Sequence, residues 1–284
     1  MRRVALQIAH RSCIGARLRN EDCLAVEHQR GHCCLVLSDG AGGHGDGARA
    51  ARVVVERVIA GFRSRPPADG RDLSELLLDA HDAVVSAQRA RGTVDAAAAM
   101  HATVVVLIVD TLRGVAHWGH VGDSRLYRWR NGRLGGVTRD DSLAQWVLNT
   151  GLVDAARAGQ MPNRGVLLAA LGSEEEVSPQ VSESFELKPA DAFLLCSDGW
   201  WGGLDAALIS QLLANASTPA EWLHAMGDRT LAQADPRQDN YSAIACWIEQ
   251  PRAADEARPA REEDYGCEAE TRPPRTLFRH GLLG

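Results

Sequence analysis

The order of segments along the chain predicts an α+β fold, with two mainly antiparallel β-sheets packed as a sandwich and helices on both outer faces. Three observations carry this expectation. Short apolar runs recur at 33–38, 103–109, 192–196 and 243–248, the lengths of strands buried within a layered core. Neighbouring runs are joined by tight turns, as antiparallel pairing requires, while the helical stretches fall outside these pairs. A length of 284 residues lets one such sandwich bury a sizeable core as a single domain.

In order along the chain, residues 4–9 and 23–27 are expected as strands, with a polar turn over 17–22 between them. Cys33-Cys34-Leu35-Val36-Leu37-Ser38 is a third, buried strand, followed by a glycine-rich turn over 39–47. Ala51, Val54, Val55, Val58, Ile59 and Phe62 recur at helical spacing, predicting a helix over 48–62. A loop at Pro66-Pro67-Ala68-Asp69-Gly70 separates it from a second amphipathic helix over 73–89. The β-branched run 103–109 pairs with 114–121 across a turn at 110–113. A further strand spans 125–130, and Asn131-Gly132 marks a hairpin. A helix over 142–159, two helices within 205–233 and a last strand at 243–248 complete the domain, placed at 1–250. The remainder, 251–284, is rich in Ala, Arg, Glu and Pro and lacks apolar periodicity up to Leu277, so it is expected to be a disordered tail.

Composition narrows the function classes. The net charge is −6, which leaves no basic footprint for nucleic acid or an anionic membrane. No run reaches the ~18 apolar residues of a transmembrane helix, and Gln7 and His10 interrupt the N-terminal apolar run, making it a poor signal peptide. Lys188 is the only lysine, which excludes mechanisms that need a second one. The seven cysteines form no C-x-x-C pair and are expected as reduced thiols of a cytoplasmic protein.

Acidic residues stand where apolar strands stop. Asp39 follows Leu35-Val36-Leu37-Ser38, Asp198 follows Phe193-Leu194-Leu195-Cys196-Ser197, and Asp123 follows Trp118-Gly119-His120-Val121-Gly122. Asp239-Asn240 precedes the final strand and Glu21-Asp22 the second. Gathering several carboxylates in one place is costly unless cations neutralise them, and all-oxygen ligands select Mg²⁺ or Mn²⁺. Two such ions roughly 3.5–4 Å apart can activate a bridging water and clamp a phosphoryl group. For any one Asp-Gly pair, a simple turn is the better reading.

Taken together, the motifs resemble the protein phosphatase 2C family, the metal-dependent PPM phosphatases, in their bacterial form. The matching stretches are Arg17-Leu18-Arg19-Asn20-Glu21-Asp22, Ser38-Asp39-Gly40-Ala41-Gly42-Gly43-His44, Val121-Gly122-Asp123-Ser124-Arg125, Cys196-Ser197-Asp198-Gly199-Trp200 and Gln238-Asp239-Asn240-Tyr241-Ser242. They occur in the family's order over residues 15–248. The resemblance implies a protein serine/threonine phosphatase that attacks phosphoserine or phosphothreonine with a metal-bridging hydroxide, without a phosphoenzyme. It implies two Mn²⁺ or Mg²⁺ ions bound by Asp39, the Gly40 carbonyl, Asp198 and Asp239, with Asp123 serving a third, weaker site. Glu21 and Asp22 act through metal waters, Arg17 grips the substrate phosphate, and Asn240 orients Asp239. The implied partners are phosphoprotein substrates and a cognate Ser/Thr kinase pathway, with the protein a monomer.

The sequence also departs from the family pattern. Ala41 stands where some relatives carry a histidine acid, so the general acid is unassigned, and Asp141 stands where relatives often carry histidine at the start of the flap, roughly 140–172. The alternative function is a catalytically weak, phosphatase-like regulatory or binding module, whose sign would be a lost metal carboxylate. Two rival chemistries fail. Gly40-x-Gly42-x-x-Gly45 matches a dinucleotide fingerprint, but the helix after it leads to a proline loop and another helix instead of a second parallel strand. Cys13 and Arg19 have the spacing of cysteine-based phosphatases without the glycine-rich loop that lowers the thiol pKa.

Overall fold

The computed structural model describes residues 4–41, 46–91, 99–151, 153–154, 157, 161, 165–249 and 261–264. One sheet contains β1 (Leu6–Cys13), β12 (Tyr241–Ile248), β11 (Ala192–Cys196), β7 (Arg125–Arg130) and β8 (Arg133–Val137), with β13 (Arg261–Asp264) at its edge, in the order β13-β1-β12-β11-β7-β8. The other runs β10-β6-β5-β3-β2, from β10 (Phe185–Glu186), β6 (Val115–Val121), β5 (Val104–Asp110), β3 (His32–Ala41) and β2 (Asp22–Gln29). Here β4 (His101–Ala102) pairs with β3 and β9 (Gln180–Val181) with β6. All pairings are antiparallel except that of β13 with β1. This is the expected α+β sandwich.

The apolar runs lack a polar alternation because both faces of their strands are buried, and side chains still alternate between two cores. In β3, Cys34 and Val36 face α1 (Asp46–Ser64) and α2 (Gly70–Arg89), while Cys33, Leu35 and Leu37 face the opposite sheet. In β11, Leu194 and Cys196 join the core under α4 (Ala206–Asn215) and α5 (Pro219–Ala232), while Phe193 and Leu195 lie between the sheets. Three layers of apolar contact therefore fix the register of every central strand, since a one-residue slip would exchange the two cores.

Local signals account for most boundaries. Asn131 and Gly132 both have positive φ, 52° and 71°, as a two-residue hairpin between β7 and β8 requires. The Asp69 side chain caps α2 by accepting from the Asp72 N–H. Three expectations change. Within the helix expected over 142–159, α3 covers Leu143–Asn149; Thr150 caps it and Gly151 follows with φ +72°, a left-handed stop that glycine accepts without strain, while Arg157 is again helical and 152, 155–156 and 158–160 lie outside the described residues. In the tail expected to be disordered, Arg261–Asp264 runs parallel to β1 from Gln7↔Arg261 to His10↔Asp264; this backbone pairing needs no apolar pattern. Cys13 is disulfide-bonded and so is not a reduced thiol, whereas Cys23, Cys33, Cys34, Cys196 and Cys246 are free.

His117 and His120 pack without hydrogen bonds from some or all ring nitrogens: Nε2 of His117 and both nitrogens of His120 have no partner. His120 is fully buried and stacks on Trp118. Burial pushes its pKa down to about 4, so the folded protein keeps the ring neutral where the unfolded chain protonates it. Its contribution is complete above the ordinary histidine pKa near 6.5 and is lost as pH falls from there toward 4, by up to about 3 kcal/mol. His120→Leu is expected to lose less stability than the wild type between pH 7 and pH 4.5 in urea titrations; parallel losses would rule His120 out.

Candidate active site

Antiparallel order brings the acidic motifs to one end of the sandwich. β2 begins where β3 ends, with Asp22 opposite Asp39. β6 runs parallel to β3 because both flank β5, so Gly122-Asp123 emerges at that same end. β11 ends where β12 begins, which joins Asp198 to Asp239. A cleft of about 860 Å³ opens there, lined by Arg17, Leu18, Arg19, Glu21, Asp39, Gly40, Asp123, Asp198, Asp239 and Asn240, among others.

Two glycines make the convergence possible. A Cβ on Gly199 would stand 2.0 Å from the Asn240 carbonyl oxygen, and one on Gly40 would stand 2.0 Å from that of Gly47 in the first turn of α1. Any side chain would force apart the backbones that carry Asp198 and Asp239, or Asp39 and α1. The Asp-Gly pairs are thus close-approach positions as well as turns.

Asn240 knits the cleft wall. Its Nδ2 donates to the carbonyls of Ile14 (2.8 Å) and Arg19 (2.9 Å). Its Oδ1 accepts the Glu21 N–H at 2.8 Å, and its own N–H donates to Asp239 Oδ1 at 2.8 Å. One amide therefore ties the Arg17–Glu21 loop to the segment that carries Asp239 into β12. Arg17 Nη2 donates to Asp239 Oδ2 at 2.5 Å. Asp22 does not line the cleft: its Oδ2 accepts from the Ser197 hydroxyl at 2.8 Å, and its Oδ1 is buried without a partner, so it backs Asp39 from inside the protein.

Charge is concentrated well beyond what the arginines offset. Burial, and then repulsion from Asp22, Asp198, Asp123 and Asp239, holds the Asp39 carboxyl well above the ordinary range. Burial raises Asp22 to about 7 and Asp123 to about 8, each also pushed up by Asp198. Asp198 is raised by burial and then by repulsion from Asp239. Among the described residues no three His, Cys, Asp or Glu side chains stand ready around one coordination point. Asp239 is turned to Arg17. The donor set nonetheless fits hard divalent cations: it is all oxygen, it is clustered, and its members push one another toward protonation.

Of the remaining side chains around the cleft, Thr103 is not legible as a site residue. Thr103 accepts the Asp39 N–H at its Oγ1 (3.0 Å) and pairs with the Ser124 hydroxyl (2.7 Å). Trp201 donates its indole N–H to the Asp123 carbonyl (3.0 Å), and Arg125 stacks on its ring; Trp200 is buried edge-on against Tyr241. At the flap root, Asp141 accepts the Gly122 N–H (2.9 Å) and the Gln180 side-chain amide (2.6 Å). Thr103 follows an alanine in an apolar stretch, so nothing in the local pattern separates it from core. His44 lies outside the described residues, and no histidine is among the described residues that line the cleft.

The family model for protein phosphatase 2C matches residues 10–239. Serine/threonine protein phosphatase PstP of Mycobacterium tuberculosis is 29% identical over 197 residues, which is 69% of this chain and 36% of that protein; the chain thus spans little more than a third of that relative's length. The crystal structure of the Mycobacterium tuberculosis serine/threonine phosphatase PstP/Ppp is similar with a TM-score of 0.76 at 26% identity, covering 87% of this chain and 100% of that one. A structure of the PstP catalytic domain in complex with two manganese ions has a TM-score of 0.74 at 24% identity, with 87% and 100% coverage, and so shares the fold.

Proposed function

Because this chain belongs to the protein phosphatase 2C family, we propose that it is a metal-dependent protein serine/threonine phosphatase acting on phosphoserine and phosphothreonine. The observation that carries this reading is the convergence of Glu21, Asp39, Asp123, Asp198 and Asp239 with Arg17 in one cleft. Asp39, the Gly40 carbonyl, Asp198 and Asp239 would hold two Mn²⁺ or Mg²⁺ ions, and Asp123 with Asp198 a third. When bound, the ions polarise phosphoryl oxygens and lower the pKa of water.

The chain's own residues do the rest. Arg17 sits at the cleft with a guanidinium fork that matches phosphate oxygens. Glu21 stands beside the metal-binding acids for contact through water, and Asp22 supports Asp39 from behind. Asn240 holds Asp239 and the Arg17 loop in a fixed relation, so that phosphate and carboxylates meet in line. The leaving alkoxide's proton is assigned to no side chain.

The same reading makes 1–250 the catalytic domain and 251–284 a tail. It places a monomeric protein in the cytoplasm, acting on phosphoproteins of a cognate kinase pathway. No helix among the described residues is long and apolar enough to cross a membrane. Phosphate release from a phosphothreonine peptide tests the reading: release with Mn²⁺, loss with chelator and return on adding Mn²⁺ back are expected. No release under any metal condition would leave the binding-module alternative standing.

A further inference from the structure

Resting on that phosphatase reading, we infer that Arg19 is a specificity residue that recognises an acidic side chain flanking the phosphoresidue. Among the described residues two arginines line the cleft, and they differ in their pairing. Arg17 is held by Asp239. Arg19 is exposed at the cleft, and among the described residues it makes no side-chain ion pair or hydrogen bond; its carbonyl accepts from Asn240. That backbone bond fixes where the residue sits while leaving the guanidinium free to meet a ligand.

Between the two arginines, Leu18 is 98% exposed and also lines the cleft, which Leu167 borders from the flap. An apolar side chain flanked by two cations at the mouth of a cleft offers a peptide an apolar contact beside a charged one. Charge complementarity selects the occupant. The lining carries five carboxylates against two arginines, and two divalent ions would more than offset that excess. A dianionic phosphoryl group then engages the interior, and among the described residues of the lining the remaining unpaired cation is Arg19 at the rim. A basic flanking residue would meet its repulsion, whereas Asp or Glu would pair with it. The cleft, at about 860 Å³, has room for a phosphoresidue and its neighbours.

The test uses full-length, Mn²⁺-loaded protein and phosphothreonine peptides identical except for Asp, Ala or Arg on either side of the phosphoresidue. kcat/KM is expected to favour Asp over Ala by about two- to fivefold, the range of an exposed ion pair, and to place Arg lowest, with the spread shrinking at high salt. Arg19→Ala should erase the preference and Arg19→Glu invert it, while turnover of p-nitrophenyl phosphate, which has no flanking residue, stays at the wild-type level in both. Equal rates for the three peptides, or a preference that survives Arg19→Ala, would overturn the inference and leave the phosphatase reading intact. Failure to turn over even p-nitrophenyl phosphate would sink both.

Discussion

Asp39→Asn is expected to cut Mn²⁺-dependent release of phosphate from a phosphothreonine peptide by roughly 10³-fold, the scale of losing a principal electrostatic stabiliser. It is also expected to raise the melting temperature of the metal-free protein. Both effects come from one geometry. Asp39 is the carboxyl on which four others act: Asp22 opposite it on β2, and Asp123, Asp198 and Asp239 across the cleft. Without cations, its ionisation opposes that of every neighbour, and removing its charge relieves the cluster. With cations, the same charge is the shared ligand, and a neutral amide oxygen cannot replace it. Mn²⁺ should therefore raise the melting temperature of the wild type by mass action and that of Asp39→Asn far less. Calorimetry with and without Mn²⁺, beside the activity assay, checks both halves. A variant that keeps its metal-induced stabilisation, or melts below the metal-free wild type, would remove Asp39 from the centre of the site.

The second large effect is expected at Asn240, which touches no phosphate in the proposed mechanism. Asn240→Ala deprives the Ile14 and Arg19 carbonyls and the Glu21 N–H of their side-chain partner. Leaving such groups unpaired in a part-buried wall costs about 3 kcal/mol, or a fall of about 10 °C in melting temperature for a domain of this size. The loop that carries Arg17 loses the amide's ties and keeps the Ala16 N–H bond to the Gln238 carbonyl and the Arg17–Asp239 pair, so kcat/KM should fall about 10²-fold, the cost of a misplacement near 1 Å. Asn240→Asp keeps the acceptor for Glu21 but loses both donated bonds and adds a charge beside Asp239; it should rescue neither quantity. Near-wild-type melting and kinetics in Asn240→Ala would show that the loop is positioned by other contacts.

Much of the molecule was legible because its signals are local. A β-branched run with turns at both ends, an Asn-Gly pair or an amphipathic spacing is a property of neighbouring residues, and β5, the β7–β8 hairpin, α1 and α2 follow directly. The break after α3 is legible too, in Gly151. The parallel edge strand Arg261–Asp264 was not legible, because its pairing with β1 depends on backbone hydrogen bonds that any sequence can make.

The sequence by itself determined the fold class, the set of carboxylates and their position at strand ends, since the order of motifs and the alternation of buried faces are written along the chain. The tertiary structure alone decided how those acids divide. It placed Glu21 in the cleft and Asp22 behind Asp39, set Arg17 against Asp239 from 222 residues away, and left the Arg19 side chain without a partner among the described residues. These outcomes depend on which strand lies beside which and on where backbones approach within a hydrogen-bond length. The energy of such long-range contacts is decided only when the two sheets close on each other, so no local pattern carries it.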